Sequence, residues 1–378
     1  MKKIALISVH NDPNYGSALQ AYALAYAIRR EGYDCEYINY TASERVGGIV
    51  SWIKSIAKIA IIGLSIKKSE KTEYFFWRSS DFKIQRQQFT DFHNVRIPFS
   101  QTTYTPINIK NANTEYDCFI VGSDQTWSPY VAKSKSSLNF LDFVEPGKLR
   151  GSYAPSFGTC HLSEKYITFL KEKIIGFDFL SCREKKNAEL LTEFLGKKVE
   201  HVLDPTFLLS PKEWLQISEP IVMPEKFLLC YILGTKQSIS DFAEKLGKEH
   251  SLPVYYIVTR PEYLNKTNAL KNVSPGQFIT LIYKALYVVT DSFHGLSFSI
   301  NFQRQFYAFT KRSEFDIIID NDRIGDLLST LGMEERLNCS GNNTFSSPIE
   351  YASIKEDLAA MLISSKTYLS RLLSAVKQ

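Results

Sequence analysis

At 378 residues the chain exceeds what one hydrophobic core usually organises, so two domains of similar size are expected. Its 44% hydrophobic and 13% aromatic content describes a packed globular protein and excludes a disordered tail or an integral membrane protein. Forty-five basic against 40 acidic residues, with no long basic run, exclude duplex nucleic acid as a partner but leave room for a small anionic substrate.

Lys3 to Val9 reads as a first strand. Its apolar part is too short for a secretory h-region and meets His10-Asn11-Asp12 at once, so a cytoplasmic protein is expected. Gly16 to Arg30 reads as an amphipathic helix with Leu19, Tyr22, Ala23 and Tyr26 on one face, and Cys35 to Tyr40 as a strand, which completes a βαβ opening. A helical and variable region follows, over about 47 to 95. Within it Gly47 to Ile66 is apolar, with Lys54 and Lys58 forming a polar stripe. That pattern suits an amphipathic helix packed on its own domain, or peripheral contact with the inner face of the cytoplasmic membrane.

Asp117 to Ser123 has the texture of a buried strand; strands near Arg150 to Ser156 and Phe179 to Cys182 alternate with a helix over Ser163 to Ile175. Pro205, Pro211, Pro220 and Pro224 then break the periodicity, which places a domain boundary here: residues 1–205 and 206–378. Alternation resumes with strand Phe227 to Leu233, helix Ile239 to His250 and strand Pro253 to Val258. Helix Pro275 to Leu286 follows, capped by Ser274, then strands Tyr287 to Thr290 and Gln305 to Phe309. A last helix from about Ser353 could pack back on the first domain. The fold class is α/β, with parallel sheets covered on both faces, and ligands are expected at strand C-termini beside helix N-termini, in a cleft between the domains.

Four strand-to-turn junctions could carry chemistry. In Thr290-Asp291-Ser292-Phe293-His294-Gly295 a helix start offers free N–H groups to a phosphate or carboxylate, and His294 adds a donor or a transferable proton; equally, Ser292 could simply cap a helix. In Gly122-Ser123-Asp124-Gln125, Gly122 permits close approach and Asp124 suits acid-base work or hydroxyl binding, or plain turn-making. Arg183, in Ser181-Cys182-Arg183-Glu184, has the planar fork that matches carboxylate and phosphate, or pairs with Glu184 at the surface. The turn from His10 to Ser17 offers Asn14 and backbone N–H groups but lacks both the GxGxxG and the GxxxxGK[ST] patterns. The six cysteines are scattered without a CxxC pair, and the histidines lack ligand spacing, so neither a metal nor a cofactor is expected.

Together with Asn14-Tyr15-Gly16-Ser17-Ala18-Leu19-Gln20, Tyr153-Ala154-Pro155-Ser156-Phe157-Gly158 and Leu203-Asp204-Pro205, these segments resemble, in order and over nearly the whole length, the polysaccharide pyruvyl transferase family. The resemblance implies two Rossmann-like domains around a cleft, similar to glycosyltransferases of the B type. It implies phosphoenolpyruvate as donor and a saccharide acceptor, free or lipid-linked, of the bacterial surface, with the acceptor on the first domain and the donor on the second. The family's histidine maps to His294 and its donor-binding arginine to Arg183, with Ser292, Gly295, Lys311 and Arg312 beside the donor. Asp124 is expected to act with His294 in catalysis, and Asn14, Gly16, Gly122, Ser123, Asp124 and Gln125 are expected to face the acceptor. Many members carry an arginine two residues before the histidine, where this chain has Ser292; Lys311, Arg312 or Arg323 could replace its charge. A nucleotide-sugar glycosyltransferase and a non-catalytic saccharide-binding protein of envelope assembly stay open as alternatives.

Overall fold

The computed structural model describes residues 2–8, 13–41, 79, 82–129, 138–159, 161–234, 236–310, 322–338 and 347–376. The apolar stretch Gly47 to Ile66 and the cations Lys311 and Arg312 lie outside the described residues. No helix among the described residues is long and apolar enough to cross a membrane.

Two five-stranded sheets organise the chain. The first contains β1 (Lys3–Ile7), β2 (Asp34–Tyr40), β3 (Phe99–Tyr104), β4 (Cys118–Val121) and β5 (Leu149–Ser152) in the order β3-β2-β1-β4-β5, all parallel. A short parallel pair, β6 (Ser181–Cys182) and β7 (Glu200–His201), continues beside it, with Phe179 bridging to Gly151. The second sheet contains β8 (Leu228–Tyr231), β9 (Val254–Ile257), β10 (Ala269–Leu270), β11 (Tyr287–Thr290) and β12 (Gln305–Ala308) in the order β10-β9-β8-β11-β12, again all parallel. Central strands such as β4 and β8 are buried along their whole length, which is why they read as unbroken apolar runs.

Nine helices longer than two turns are found among the described residues: α1 (Tyr15–Arg30), α2 (Lys83–Arg96), α3 (Glu164–Ile174), α4 (Lys185–Leu195), α5 (Gln237–Glu249), α6 (Pro275–Lys284), α7 (Phe293–Asn301), α8 (Asp322–Thr330) and α9 (Tyr351–Val376). Their starts follow local chemistry. Asn14 caps α1 by accepting from Ser17 N at 3.2 Å, and Arg29 and Arg30 in the last turn complement the helix dipole. α6 opens on a capping box between Ser274 and Gln277 with Pro275 at its first position.

Several elements differ from the sequence reading. α1 is not amphipathic: Ser17 and Gln20 are buried along with its apolar residues, because the helix is packed against the first sheet on one side and against α6, α7 and the turn at Pro205–Phe207 on the other. β5 stops at Ser152 rather than Ser156, since Ala154 takes φ 55° and turns the chain. The edge strand β3 was not expected at all; its Gln101, Thr102 and Thr103 are exposed, so no apolar run marks it.

α9 returns to the first sheet. Tyr368 donates its hydroxyl to Ser152 O at 2.7 Å, Ser365 Oγ accepts from Leu203 N at 2.8 Å, and Leu372 packs so tightly over Gly151 that a Cβ there would lie 2.7 Å from Leu372 Cδ1. Leu372 is fully buried, so Leu372→Ala should destabilise the protein by about 2–5 kcal/mol in urea unfolding. A loss below 1 kcal/mol would mean that α9 contributes little to the core.

Candidate active site

Four chain segments end at one place. β4 runs out into Gly122-Ser123-Asp124, β6 into Arg183-Glu184, β7 into Leu203-Asp204, and β11 into Asp291-Ser292 before α7. All are C-terminal ends of parallel strands, two of them leading directly into helices.

Asp204 is the centre of the group and is almost fully buried. Its Oδ1 accepts from Thr206 N at 3.0 Å and Thr206 Oγ1 at 2.8 Å; its Oδ2 accepts from Ser123 Oγ at 2.8 Å and Arg183 Nη1 at 2.9 Å. His294 Nε2 stands 3.5 Å from the same Oδ2. Asp124, at φ 69°, accepts from Gln125 N at 2.9 Å and from Ser17 Oγ at 2.6 Å, so the end of β4 is tied to the start of α1. The strain of that backbone is held by both bonds.

Arg183 has only 1% of its side chain exposed. Its guanidinium lies 4.0 Å over the Phe293 ring, and its Nε is 3.7 Å from Glu184 Oε1, while Ser156 Oγ donates to Glu184. Its Nη2 and Nε are buried with no hydrogen-bond partner. His294, at the second position of α7, is pressed against α1: a Cβ built on Gly16 would fall within the imidazole, 2.7 Å from Cε1 and nearer still to Nδ1 and Cγ. Only glycine fits there.

The charges respond to this packing. Burial alone would raise both aspartates, but His294 and Arg183 outweigh it: Asp124 sits below the ordinary carboxylate range and Asp204 far below it. Burial prevails at Glu184, which is held above its usual value although Arg183 pulls the other way. Arg183 is raised despite burial, by Asp204, Glu184 and Asp124. The cluster can therefore hold two permanent carboxylates against a guanidinium, with an imidazole between them. No group of three or more His, Cys, Asp or Glu among the described residues is arranged to hold a metal ion.

Of the residues singled out in the sequence, the structure brings together Gly16, Ser123, Asp124, Arg183 and His294. Arg183 is buried, so its pairing with Glu184 is not a surface one. Asn14 and Ser292 serve as helix caps, Ser292 Oγ accepting from Gly295 N at 3.4 Å. Gly295 lets α7 approach β8, since a Cβ would lie 3.0 Å from Tyr231 Cδ1 and press on Thr290 Oγ1. Gly122 faces Leu24 and the Ile7 carbonyl, 3.1 Å and 3.4 Å from where its Cβ would be, and so supports α1 packing rather than facing the cluster. Gln125 turns toward Arg323 of α8. Asp291 accepts from Leu233 N at 2.6 Å and Gly234 N at 2.7 Å, which pins the loop after β8. Asp204 received no chemical role from the sequence, where Leu203-Asp204-Pro205 stands beside the domain boundary; Ser17 and Phe293 received none either, and Glu184 only that of a partner to Arg183.

The fold has known counterparts. Over 96% of this chain and 93% of the other, the structure is similar to UDP-GlcNAc 2-epimerase from Methanocaldococcus jannaschii, with a TM-score of 0.52 at 9% identity. Similarity also extends to UDP-GlcNAc 2-epimerase from Neisseria meningitidis (12% identity, 98% and 94% of the chains, TM-score 0.45) and to the heptosyltransferase WaaC of E. coli (14%, 95% and 99%, TM-score 0.39). The first of these supports two Rossmann-like units in the glycosyltransferase B-type arrangement. No curated protein gives a significant match. The profile of one family, polysaccharide pyruvyl transferase, matches residues 14–311, a span that holds every residue of the buried cluster. With that match over most of its length, the chain belongs to the polysaccharide pyruvyl transferase family, transferases with a saccharide acceptor.

Proposed function

We propose that the protein moves a pyruvyl group from phosphoenolpyruvate to two hydroxyls of a sugar in a bacterial surface polysaccharide, or in its lipid-linked precursor, forming a ketal. The observation that carries this reading is the convergence of His294, Arg183, Asp204 and Asp124 where α1 and α7 begin. A proton goes to the methylene carbon of the donor, leaving an oxocarbenium-like centre at the adjacent carbon. One sugar oxygen bonds to that centre, the bond to phosphate breaks, and the second sugar oxygen closes the ketal. Of the two hydroxyl protons lost, one balances the proton delivered to carbon and the other leaves with phosphate.

In this scheme Arg183 and the start of α7 hold the donor anions, and His294 delivers the proton. Asp124 orients or deprotonates the acceptor hydroxyl, consistent with its being held ionised. The acceptor lies on the side of residues 1–205 and the donor on the side of 206–378, at the inner face of the cytoplasmic membrane where a lipid-linked acceptor would be met.

The test is release of inorganic phosphate from phosphoenolpyruvate with a panel of free and lipid-linked saccharides. Acceptor-dependent phosphate is the expected result. Release of a nucleoside diphosphate from a nucleotide sugar instead would establish a glycosyltransferase, since the shared fold does not fix the donor. Acceptor binding without either product would leave a saccharide-binding protein.

A further inference from the structure

A second cavity lies beside the buried cluster, on the flank of the first half of the chain. It measures about 620 Å³, within the usual range of pockets that hold small organic ligands, and is bounded by α4, by the outer strand β7 and by α9. His201 and Leu203 line it and also line the smaller cavity against Arg183, Asp204 and Phe293, so the two spaces adjoin at the end of β7. Parallel pairing sets His201 opposite Cys182, one step along the chain from Arg183. Lys185, whose N–H donates to Asp326 of the smaller cavity, marks the near end of the groove. Glu193 stands eight residues further along α4, so the groove runs away from the cluster for about 12 Å.

The walls of this groove are tied to one another. Thr192 Oγ1 donates to Ala188 O at 2.7 Å and accepts from Val199 N at 2.9 Å, which fixes the approach to β7 against α4. On the other side Arg371 of α9 pairs with Glu200, and Ser365 Oγ accepts from Leu203 N at 2.8 Å. A ligand entering it therefore meets a preformed surface and has little to order.

The lining decides what that ligand is. Against Lys185 and Lys198 stand Glu189, Glu193 and Glu200, a balance that repels anions and so does not extend the binding of a phosphate-bearing donor. Carboxylates accept hydrogen bonds from neutral hydroxyls, and the buried Ala188, Val199 and Leu203 offer apolar surface to the C–H faces of sugar rings. Glu189 and Glu193 lie one turn apart on one face of α4, a like-charge spacing that weakens a helix, and neither has an ion-pair partner among the described residues. The fold gains nothing from that pair, whereas a row of free acceptors suits a polyhydroxylated chain.

We infer that the groove between α4, β7 and α9 binds the saccharide chain extending from the sugar that is modified, so that an oligosaccharide is selected over a single sugar. The inference takes the place of reaction from the pyruvyl-transfer reading, and the acceptor as a saccharide from the family. It gives α9 a share in the acceptor site, although the cluster itself contains no residue of that helix.

The experiment measures, by calorimetry on the full chain, the Kd of mono-, di- and trisaccharide p-nitrophenyl glycosides built from hexoses and N-acetylhexosamines, and separately their support of phosphate release from phosphoenolpyruvate. The trisaccharide is expected to bind at least about 10-fold more tightly than the monosaccharide, since hydrogen bonds to charged groups are the stronger ones. Glu193→Ala, at the far end, should lose most of the trisaccharide gain. Ser364→Trp, which fills the groove from an exposed position on α9, should lose the gain of both longer glycosides. Both positions are exposed, so the ligand-free Tm of each variant should match the wild type. Equal affinity of the wild type for all lengths, binding of none of them, or a full gain retained in folded Ser364→Trp overturns the inference. Loss in Ser364→Trp alone supports the groove and removes only Glu193 from it. Groove-dependent binding without phosphate release would remove the donor reading and leave the groove assigned.

Discussion

Gly16→Ala is expected to remove about 99% of turnover although alanine is the better helix former, because a 1 Å displacement of a reacting group can cost about 100-fold. The substitution should strengthen α1 locally by about 0.5–1 kcal/mol. That gain is outweighed at the contact: the new methyl would occupy the place of the His294 imidazole, which has α1 on one side and Asp204 on the other. Either the ring rotates away from Asp204 or α1 and α7 separate. Overpacking of this kind costs about 1–3 kcal/mol. Combining Gly16→Ala with His294→Ala tests the cause, since removing the ring removes the clash. In thermal unfolding the double variant should be more stable than the sum of the single effects by at least about 1 kcal/mol. Strict additivity would show that the two residues do not compete for one space.

Asp204→Asn is expected to be the most damaging change of equal size in the cluster. The carboxylate is shared by Ser123, Thr206 and Arg183 and faces His294, and an amide cannot accept from all of them while presenting its own N–H groups to donors. Arg183 would keep its buried charge without its closest partner. Breaking a buried pair in this way costs about 3–5 kcal/mol, to be read from urea unfolding at neutral pH. Turnover should fall on the order of 100-fold in the fraction that stays folded, as His294 and Arg183 lose their common anchor. A variant within 1 kcal/mol of the wild type would show that the Arg183 charge is satisfied elsewhere.

The same carboxylates set the acid response. Asp204 and Asp124 are held below their ordinary value, so their contribution to stability is present above about pH 4 and is lost as the pH falls through their lowered folded values. Glu184, held above its usual value, acts in the opposite sense: its contribution is complete below its unfolded value and declines as the pH rises through the folded one. Asp204→Asn should therefore flatten the acid limb of the stability curve while leaving the Glu184 part in place.

Much of the fold was readable because parallel strands buried on both faces leave unbroken apolar runs, and because a cap such as Ser274 announces its helix one residue ahead. What failed was set by tertiary surroundings. Leu19, Tyr22, Ala23 and Tyr26 do form one face of α1, but the opposite face is covered as well, and small residues such as Ala18, Ala21 and Ala25 do not distinguish burial from exposure in a sequence. β3 is stabilised by pairing with β2 rather than by an apolar pattern of its own.

The candidate site was legible as separate strand ends and not as an assembly. His294, Arg183 and Asp124 each follow a buried strand, which is a local signal. The contact of Gly16 with His294, and the meeting of Asp204 with Ser123 and Arg183, join segments far apart in the chain and leave no mark in either one. Gly16 reads correctly as part of the first helix, but nothing local shows that its value there is the absence of a side chain against His294.

The seat of α9 on β5 bears on how the protein is made. Tyr368 and its acceptor Ser152 are 216 positions apart, so the face of the first sheet around Gly151 and Ser152 has no cover until the last helix has been synthesised. At about 5–20 residues per second, that delay is on the order of 10–40 s on the ribosome. During it the nascent chain presents an apolar patch on an otherwise assembled sheet, a feature by which a chaperone would recognise the unfinished protein, and a truncation before Tyr368 would make that transient exposure permanent.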